Sequence, residues 1–390
     1  MQKIVLLTRN FPPLQGGMER LNYHLYAELK QVFAVSVVGP EGSEYYLEPE
    51  TPHCQFPHKP LFSFLWISFF KSFYFCLQQK PALIIAGSGA TALTARIVAW
   101  LTRSKVVVFV HGLDLVANNL FYQKLFLPAI RRADAVWVNS RNTCRIAVKQ
   151  GICQGKIQIL HPGVTLPDVG CSLDPALFKA EYGIAADKKI LLSVGRLTER
   201  KGLAEFLQYS FKQIVKRDPR FVLVIIGCEP ENALQHKAGV LNKLLEIIQA
   251  EELGEHVVFL GHVSDTQLHK AYAGSYLLVF PGIEMPGDVE GFGMVAIEAA
   301  AYGLPTVAFS VGGVPDAINP DLSGWLIPAG DYAAMTETLL NGCEDPEAFH
   351  AKVNSESCRK HAASFSWSVF GNKLIQLCLD VIDNKANFYD

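Results

Sequence analysis

Two glutamates eight positions apart bracket the segment richest in possible chemistry, Asp288-Val289-Glu290-Gly291-Phe292-Gly293-Met294-Val295-Ala296-Ile297-Glu298. It follows the apolar run YLLVF and a Gly/Pro loop, and it opens an alanine-rich stretch. Gly291 and Gly293 let backbone approach a ligand closely. The free N–H groups and positive dipole of a helix starting here suit a phosphate. Read as helix throughout, the spacing of Glu290 and Glu298 rises about 12 Å. One carboxylate could then hold a sugar and the other a ribose diol, on opposite sides of a diphosphate. The plainer alternative is a capped surface helix with two solvated acids. A second segment, Val194-Gly195-Arg196-Leu197-Thr198-Glu199-Arg200-Lys201-Gly202, follows the run KILLSVG. It sets Arg196 and Lys201 at a strand end, where two cations could neutralise a leaving diphosphate; a basic surface turn would look the same. In a third, Phe11-Pro12-Pro13-Leu14-Gln15-Gly16-Gly17-Met18-Glu19-Arg20, Gly16 and Gly17 start a helix directly after the first strand. That is again an anion-binding arrangement, though a tight strand-to-helix turn needs the same residues. The spacing is not G-x-G-x-x-G, so a nicotinamide reading is weak. Finally, His111-Gly112 closes the run KVVVFV. A lone histidine is usually structural, but the carboxyl end of a strand is where open α/β sheets bind ligands.

The elements that must position these groups are legible as short β-branched runs alternating with longer helical patterns. The first half offers KIVLLT, FAVSVV, ALIIAG, KVVVFVH, AVWVNS and IQILH; the second offers KILLSVG, FVLVIIG, HVVFLG, YLLVF and TVAFS. Continuous apolar runs separated by helices indicate parallel strands covered on both faces. The expectation is an α/β chain of two tandem, doubly wound, Rossmann-like domains facing a cleft. The boundary is expected in the aperiodic loop from His161-Pro162-Gly163-Val164 to Asp174, and Ser366 to Ile382 reads as a final helix. The domains are therefore drawn as 1–168, with a terminal helix of about 366–390 packing back on it, and 169–365.

Composition supports a packed chain. Of 390 residues 50% are apolar and 18% charged, which excludes a disordered chain. Nine cysteines without a C-x-x-C pair argue against a disulfide framework or zinc site and for buried reduced thiols in a cytosol. The start, MQKIVLLTRN, has an apolar run too short for a signal peptide. The net charge of −2 is unevenly placed: Met1 to Thr165 carries 17 Lys+Arg against 8 Asp+Glu, a net +9, and the remainder is net −11. Phosphates or an anionic membrane surface suit the basic half, whereas no aromatic-basic nucleic-acid motif appears.

Together and in this order, the glycine-pair loop, the H-G strand end, S-V-G-R-L-x-x-x-K-G and the E-x7-E element followed by A-Y-G-L-P-T-V-A-F-S-V-G-G-V-P-D resemble family 4 of the retaining glycosyltransferases, which have the GT-B fold. The resemblance runs from Lys3 to about Trp367. M-P-G-D-V-E-G-F-G-M-V is most similar to bacterial enzymes that glycosylate lipids, such as phosphatidylinositol mannosyltransferases. The resemblance implies that Arg196 and Lys201 bind the donor diphosphate, Glu290 the donor-sugar hydroxyls and Glu298 the ribose, and that His111 touches the sugar. Gly16 and Gly17 would close over the phosphates. Backbone at Gly195, Phe292, Gly293, Met294 and Val295 would line the donor. The family's usual Asn before Gly in the interdomain loop is replaced, since the sequence reads His161-Pro162-Gly163. The implied reaction moves a hexose from a UDP- or GDP-sugar by front-face displacement, the leaving phosphate helping to deprotonate the acceptor. Two-carboxylate glycosidase chemistry would need a nucleophile about 5 Å from an acid, and no residue suggests itself for that role. With no D-x-D motif, Arg196 and Lys201 could supply the charge a metal would give, so no metal or other cofactor is expected.

The acceptor side rests on Leu61 to Leu77, LFSFLWISFFKSFYFCL, interrupted by Lys71 and too short to span a bilayer. On a helical projection Phe62, Leu65, Trp66, Phe69, Phe73, Cys76 and Leu77 share one face, and Ser63, Ser68, Lys71 and Ser72 the other. Phe64, Ile67 and Phe75 fall on the polar side and are the expected exposed groups. The acceptor is expected to be lipid-linked or a cell-surface glycan, made at the inner face of a membrane that the chain touches peripherally. The competing readings are a soluble acceptor, a sugar-nucleotide epimerase on the same fold, and a non-catalytic sugar-nucleotide-binding subunit. Intact Arg196, Lys201, Glu290 and Glu298 argue against the last.

Overall fold

The structure is a computed structural model and describes residues 1–57, 61–117, 119–167, 175–229, 239–344, 347, 349 and 351–383. Contacts divide the chain into two compact units. One comprises Met1–Gly163, Gly287–Gly291 and Trp367–Asp390; the other comprises Val164–Pro286 and Phe292–Ser366.

The first unit is built on a parallel sheet of β1 (Lys3–Leu7), β2 (Ala34–Pro40), β3 (His53–Phe56), β4 (Leu83–Ala86), β5 (Lys105–Val110), β6 (Ala135–Val138) and β7 (Ile157–Ile159), in the order β3-β2-β1-β4-β5-β6-β7. The second has β8 (Lys189–Val194), β9 (Phe221–Ile226), β10 (Val257–Gly261), β11 (Leu277–Phe280), β12 (Thr306–Phe309) and β13 (Gly324–Ile327), in the order β10-β9-β8-β11-β12-β13. Every strand pairing in both sheets is parallel. Each sheet therefore reverses direction between its first and fourth strands, β1 and β4 or β8 and β11, and leaves a crevice at their carboxyl ends. The central strands are apolar on both faces because helices cover both. In β4, β5 and β11 nearly every side chain is fully buried.

All eleven runs read from the sequence are strands, and the structure adds β3 and β13. Both are edge strands of four residues, HCQF and GWLI. Neither is a continuous β-branched run: HCQF is half polar, and GWLI opens on glycine and has no Val or Thr. The terminal helix is Trp367–Ile382.

Leu61–Gln79 is one helix, but its faces differ from the projection. Ser68 and Ser72 are buried, and so is Phe75, which packs in the core with Cys76. Trp66, Phe70, Tyr74 and Leu77 are exposed; the side chain of Phe64 lies outside the described residues. A projection that counts only apolar residues misses this arrangement, in which two small serines are buried and bulky rings lie outside. The thiols are likewise mixed. Cys76, Cys358 and Cys378 are buried, and burial pushes the Cys76 and Cys358 thiols up to about 12. Cys153 and Cys228 are exposed instead. Among the described residues no helix is long and apolar enough to cross a membrane.

Candidate active site

In the second unit the carboxyl ends of β8 and β11 are locked together by backbone. The Ile283 N–H donates to the Arg200 carbonyl at 2.9 Å. Gly202, at φ +66°, lies so close to the Pro281 carbonyl oxygen that a Cβ there would overlap it. Only glycine allows both that backbone conformation and that approach. The lock determines where Lys201 goes. Its ammonium stands 4.4 Å above the centroid of the Phe280 ring, a cation–π contact of about 0.5–2 kcal/mol. Its stem lies over Gly195, where a Cβ would sit 3.1 Å from Lys201 Cε. Arg196, next along, is exposed.

The other edge of the Phe280 ring meets Gly293. This residue caps the helix Met294–Ala301 at φ +89° with no side-chain cap, and a Cβ on it would be 3.0 Å from the ring. A buried aromatic thus gathers a lysine, a glycine-lined strand end and a helix N-terminus carrying open N–H groups, a combination suited to a diphosphate. Phe292 is buried against Phe365, so only its backbone is available to a ligand. Met294 and Val295 are half-buried in the first turn. Glu298, one turn on, accepts a hydrogen bond from the Tyr272 hydroxyl at 3.0 Å. Tyr272 is itself buried and stacked on Tyr302. Because the helix begins at Met294, Glu290 lies in the preceding loop, and the helical rise expected between the two glutamates does not apply.

In the first unit, Gly16 and Gly17 do open a helix, Gly17–Leu29. However, the Glu19 carboxylate lies against Gly16, where it would contact any added Cβ, and accepts from Asn10 Nδ2 at 2.7 Å. An anion approaching this N-terminus must displace that carboxylate. His111 Nε2 faces the Gly87 carbonyl at 2.9 Å. A carbonyl only accepts, so Nε2 carries the proton and Nδ1 is left for other chemistry. The His111 backbone N–H donates to Asp114 Oδ2 at 3.0 Å, and its ring packs on Phe109. Glu290 lies in the segment Gly287–Gly291, which clusters with this unit; Gly291 abuts the His111 carbonyl and Asn139. His161 is tied through its Nδ1 to the Asn139 carbonyl at 3.0 Å.

Four groups that the motif reading missed surround Gly87 and Gly89, just beyond β4. Asn22 Oδ1, Ser88 Oγ and the Tyr122 hydroxyl are buried without a hydrogen-bond partner among the described residues, and Asp114 and Tyr122 both crowd Gly89. Buried polar atoms are normally paired, so orphans collected at a strand-end crevice mark a place that a ligand hydroxyl or water would satisfy. No short motif carries them; they come from three helices and the loop after β4. Phe280 and Tyr272 were missed for a related reason, since each reads as an ordinary core aromatic. Among the described residues no cluster of three or more His, Cys, Asp or Glu could hold a metal ion.

Residues 15–166 match the model of Glycosyltransferase Family 4, and residues 176–357 match that of Glycosyl transferases group 1. The chain thus carries a glycosyltransferase family 4 domain followed by a glycosyl transferases group 1 domain. It is 30% identical over 244 residues to the D-inositol 3-phosphate glycosyltransferase of Mycobacterium tuberculosis, covering 61% of this chain and 47% of the relative. The match thus spans about half the length of the curated relatives. Among solved structures, Anabaena HepE in complex with UDP-glucose superposes with a TM-score of 0.77 at 19% identity, covering 97% of this chain and 99% of that one. The apo lipopolysaccharide outer core galactosyltransferase WaaB gives 0.70 at 17%, covering 98% and 100%. At these identities the likeness is one of fold, and the fold of this glycosyltransferase-family chain is GT-B.

Proposed function

We propose that this chain is a retaining hexosyltransferase that takes its sugar from a UDP- or GDP-hexose. The observation that carries the reading is the gathering of Lys201, Gly195 and the Met294–Ala301 N-terminus around Phe280. As the bond from the anomeric carbon to the diphosphate breaks, negative charge grows on the leaving oxygen. Lys201, Arg196 and the helix N–H groups stabilise that charge. The acceptor hydroxyl attacks from the same face and passes its proton to the departing phosphate. Glu298, steadied by Tyr272, holds the ribose; Glu290 and His111 Nδ1 address the sugar hydroxyls; Ser88 and Tyr122 receive the acceptor. The likeness to a D-inositol 3-phosphate glycosyltransferase and to a structure holding UDP-glucose supports a nucleotide sugar.

The acceptor in this reading is lipid-linked or a cell-envelope glycan, elongated at the inner face of a membrane by a peripherally attached enzyme. The cations take the place of a metal, so transfer persists in excess EDTA. The test is to incubate the protein with UDP- and GDP-hexoses and follow release of the nucleoside diphosphate and of sugar, with and without EDTA. Release that depends on acceptor and survives the chelator is the expected result. Activity lost in chelator and restored by Mg²⁺ or Mn²⁺ would contradict the metal-free chemistry. Turnover of the nucleotide sugar to an isomer without any acceptor would show an epimerase.

A further inference from the structure

The structure places an unusual surface on the first unit. The helices Leu61–Gln79, Ala92–Thr102 and Leu120–Arg131 follow β3, β4 and β5 in turn. Their crossovers run the same way along the sheet, which puts all three on one face, and they pack side by side. Their outward surfaces carry Trp66, Phe70, Tyr74, Trp100, Leu120 and Phe121, each more than half exposed. On the first helix the rings recur at every fourth residue, and Trp66 stacks on Phe70. Soluble proteins rarely leave so many large apolar side chains exposed on one face without a use.

The charged side chains carried by these three helices are of one sign. From Thr51 to Leu113, and again from Leu115 to Ala133, the sequence has no Asp or Glu. Lys71, Lys80, Arg103, Lys124, Arg131 and Arg132 are all exposed there. We infer that this three-helix face docks on an anionic lipid surface, the rings entering the headgroup level while the cations meet lipid phosphates. Tryptophan and tyrosine favour that interface, and a basic rim is drawn to anionic lipid. A second copy of the chain is a poor occupant, because pairing this face with itself opposes like charges with no acid among them. The inference rests on the membrane part of the proposed function and is independent of the donor chemistry.

The test is co-sedimentation of the full chain with phosphatidylcholine vesicles, with and without phosphatidylglycerol, at low and high salt. Binding is expected only to the anionic vesicles and should be released by salt, because screening weakens the attraction. Combining Trp66→Ser, Phe70→Ser and Trp100→Ser should weaken binding by about tenfold or more, and reversing Lys71, Arg103 and Lys124 to Glu should abolish it. Since these side chains are exposed, the melting temperature and UDP or GDP affinity of both variants should match the parent. Three results would overturn the inference: no binding to anionic vesicles at low salt; binding unchanged in both variants; or concentration-dependent self-association, lost in the ring variant, without vesicle binding. Vesicle binding in a protein that ignores nucleotide sugars would uphold the docking face and reject the donor reading alone.

Discussion

The two crevices of this molecule share a topology and differ in what fills them. At the end of β8, the side chains turn towards where a ligand would lie: Arg196 is exposed, Lys201 rests on Phe280, and the helix N-terminus at Gly293 has no side-chain cap. At the end of β1, the groups turn on one another: Glu19 covers its own helix start, and His111 is tied to Gly87. What the first crevice leaves open is neutral, the orphan oxygens of Asn22, Ser88 and Tyr122. A doubly wound sheet thus supplies a binding position, and the residues at the strand ends decide whether it suits an anion or a hydroxyl.

The largest effect expected from this contrast is on Lys201. Loss of one preorganised charge facing a developing anion costs about 10²–10³ in rate. Lys201→Ala should reduce kcat/KM by about that factor, whereas removing a hydroxyl from the first crevice, as in Ser88→Ala, should act mainly on the acceptor KM. Steady-state kinetics varying donor and acceptor separately distinguish the two, and a Lys201 effect confined to the acceptor KM would erase the contrast.

A smaller effect is expected at Tyr272. Tyr272→Phe keeps the buried ring but deletes the hydrogen bond that orients Glu298, a change of about 1 kcal/mol. Donor KM should rise a few-fold with kcat little altered, and a Glu298→Ala background should remove the difference.

The smallest concerns stability. His24, stacked on Trp367 at 3.6 Å, has its pKa lowered to about 4 by burial and by Arg20; His361 in the second unit is also lowered by burial. An unfolded histidine takes a proton near pH 6.5, whereas folded His24 resists until about 4. The contribution is therefore intact above pH 6.5 and falls away as the pH drops towards 4. Melting temperature against pH should show this decline, and His24→Phe should flatten part of it. A parent protein equally stable at both pH values would exclude a buried neutral His24.

Central strands were readable because burial on both faces leaves continuous apolar runs such as KVVVFV and FVLVII, and the strand end carrying Gly195 and Arg196 followed from them. Three kinds of feature were not readable. Strands β3 and β13, HCQF and GWLI, lack a continuous β-branched run. The faces of Leu61–Gln79 were inverted in part because small buried serines look polar in a projection. Partners such as Phe280 under Lys201, Tyr272 behind Glu298, and Ser88 beside Tyr122 are brought together only by tertiary structure. The position of Glu290 before the helix was misread because glycine at 293, not the acid at 290, starts the helical backbone.

The central claim, that the β8–β11 crevice receives a nucleoside diphosphate, is tested most directly by calorimetric titration of UDP and of GDP into the parent protein and Lys201→Ala. The account predicts saturable binding of one nucleotide by the parent and binding at least about tenfold weaker in the variant, the size expected for a charge-assisted hydrogen bond. Equal affinity in the two proteins, or no binding of either nucleotide to the parent, would contradict it.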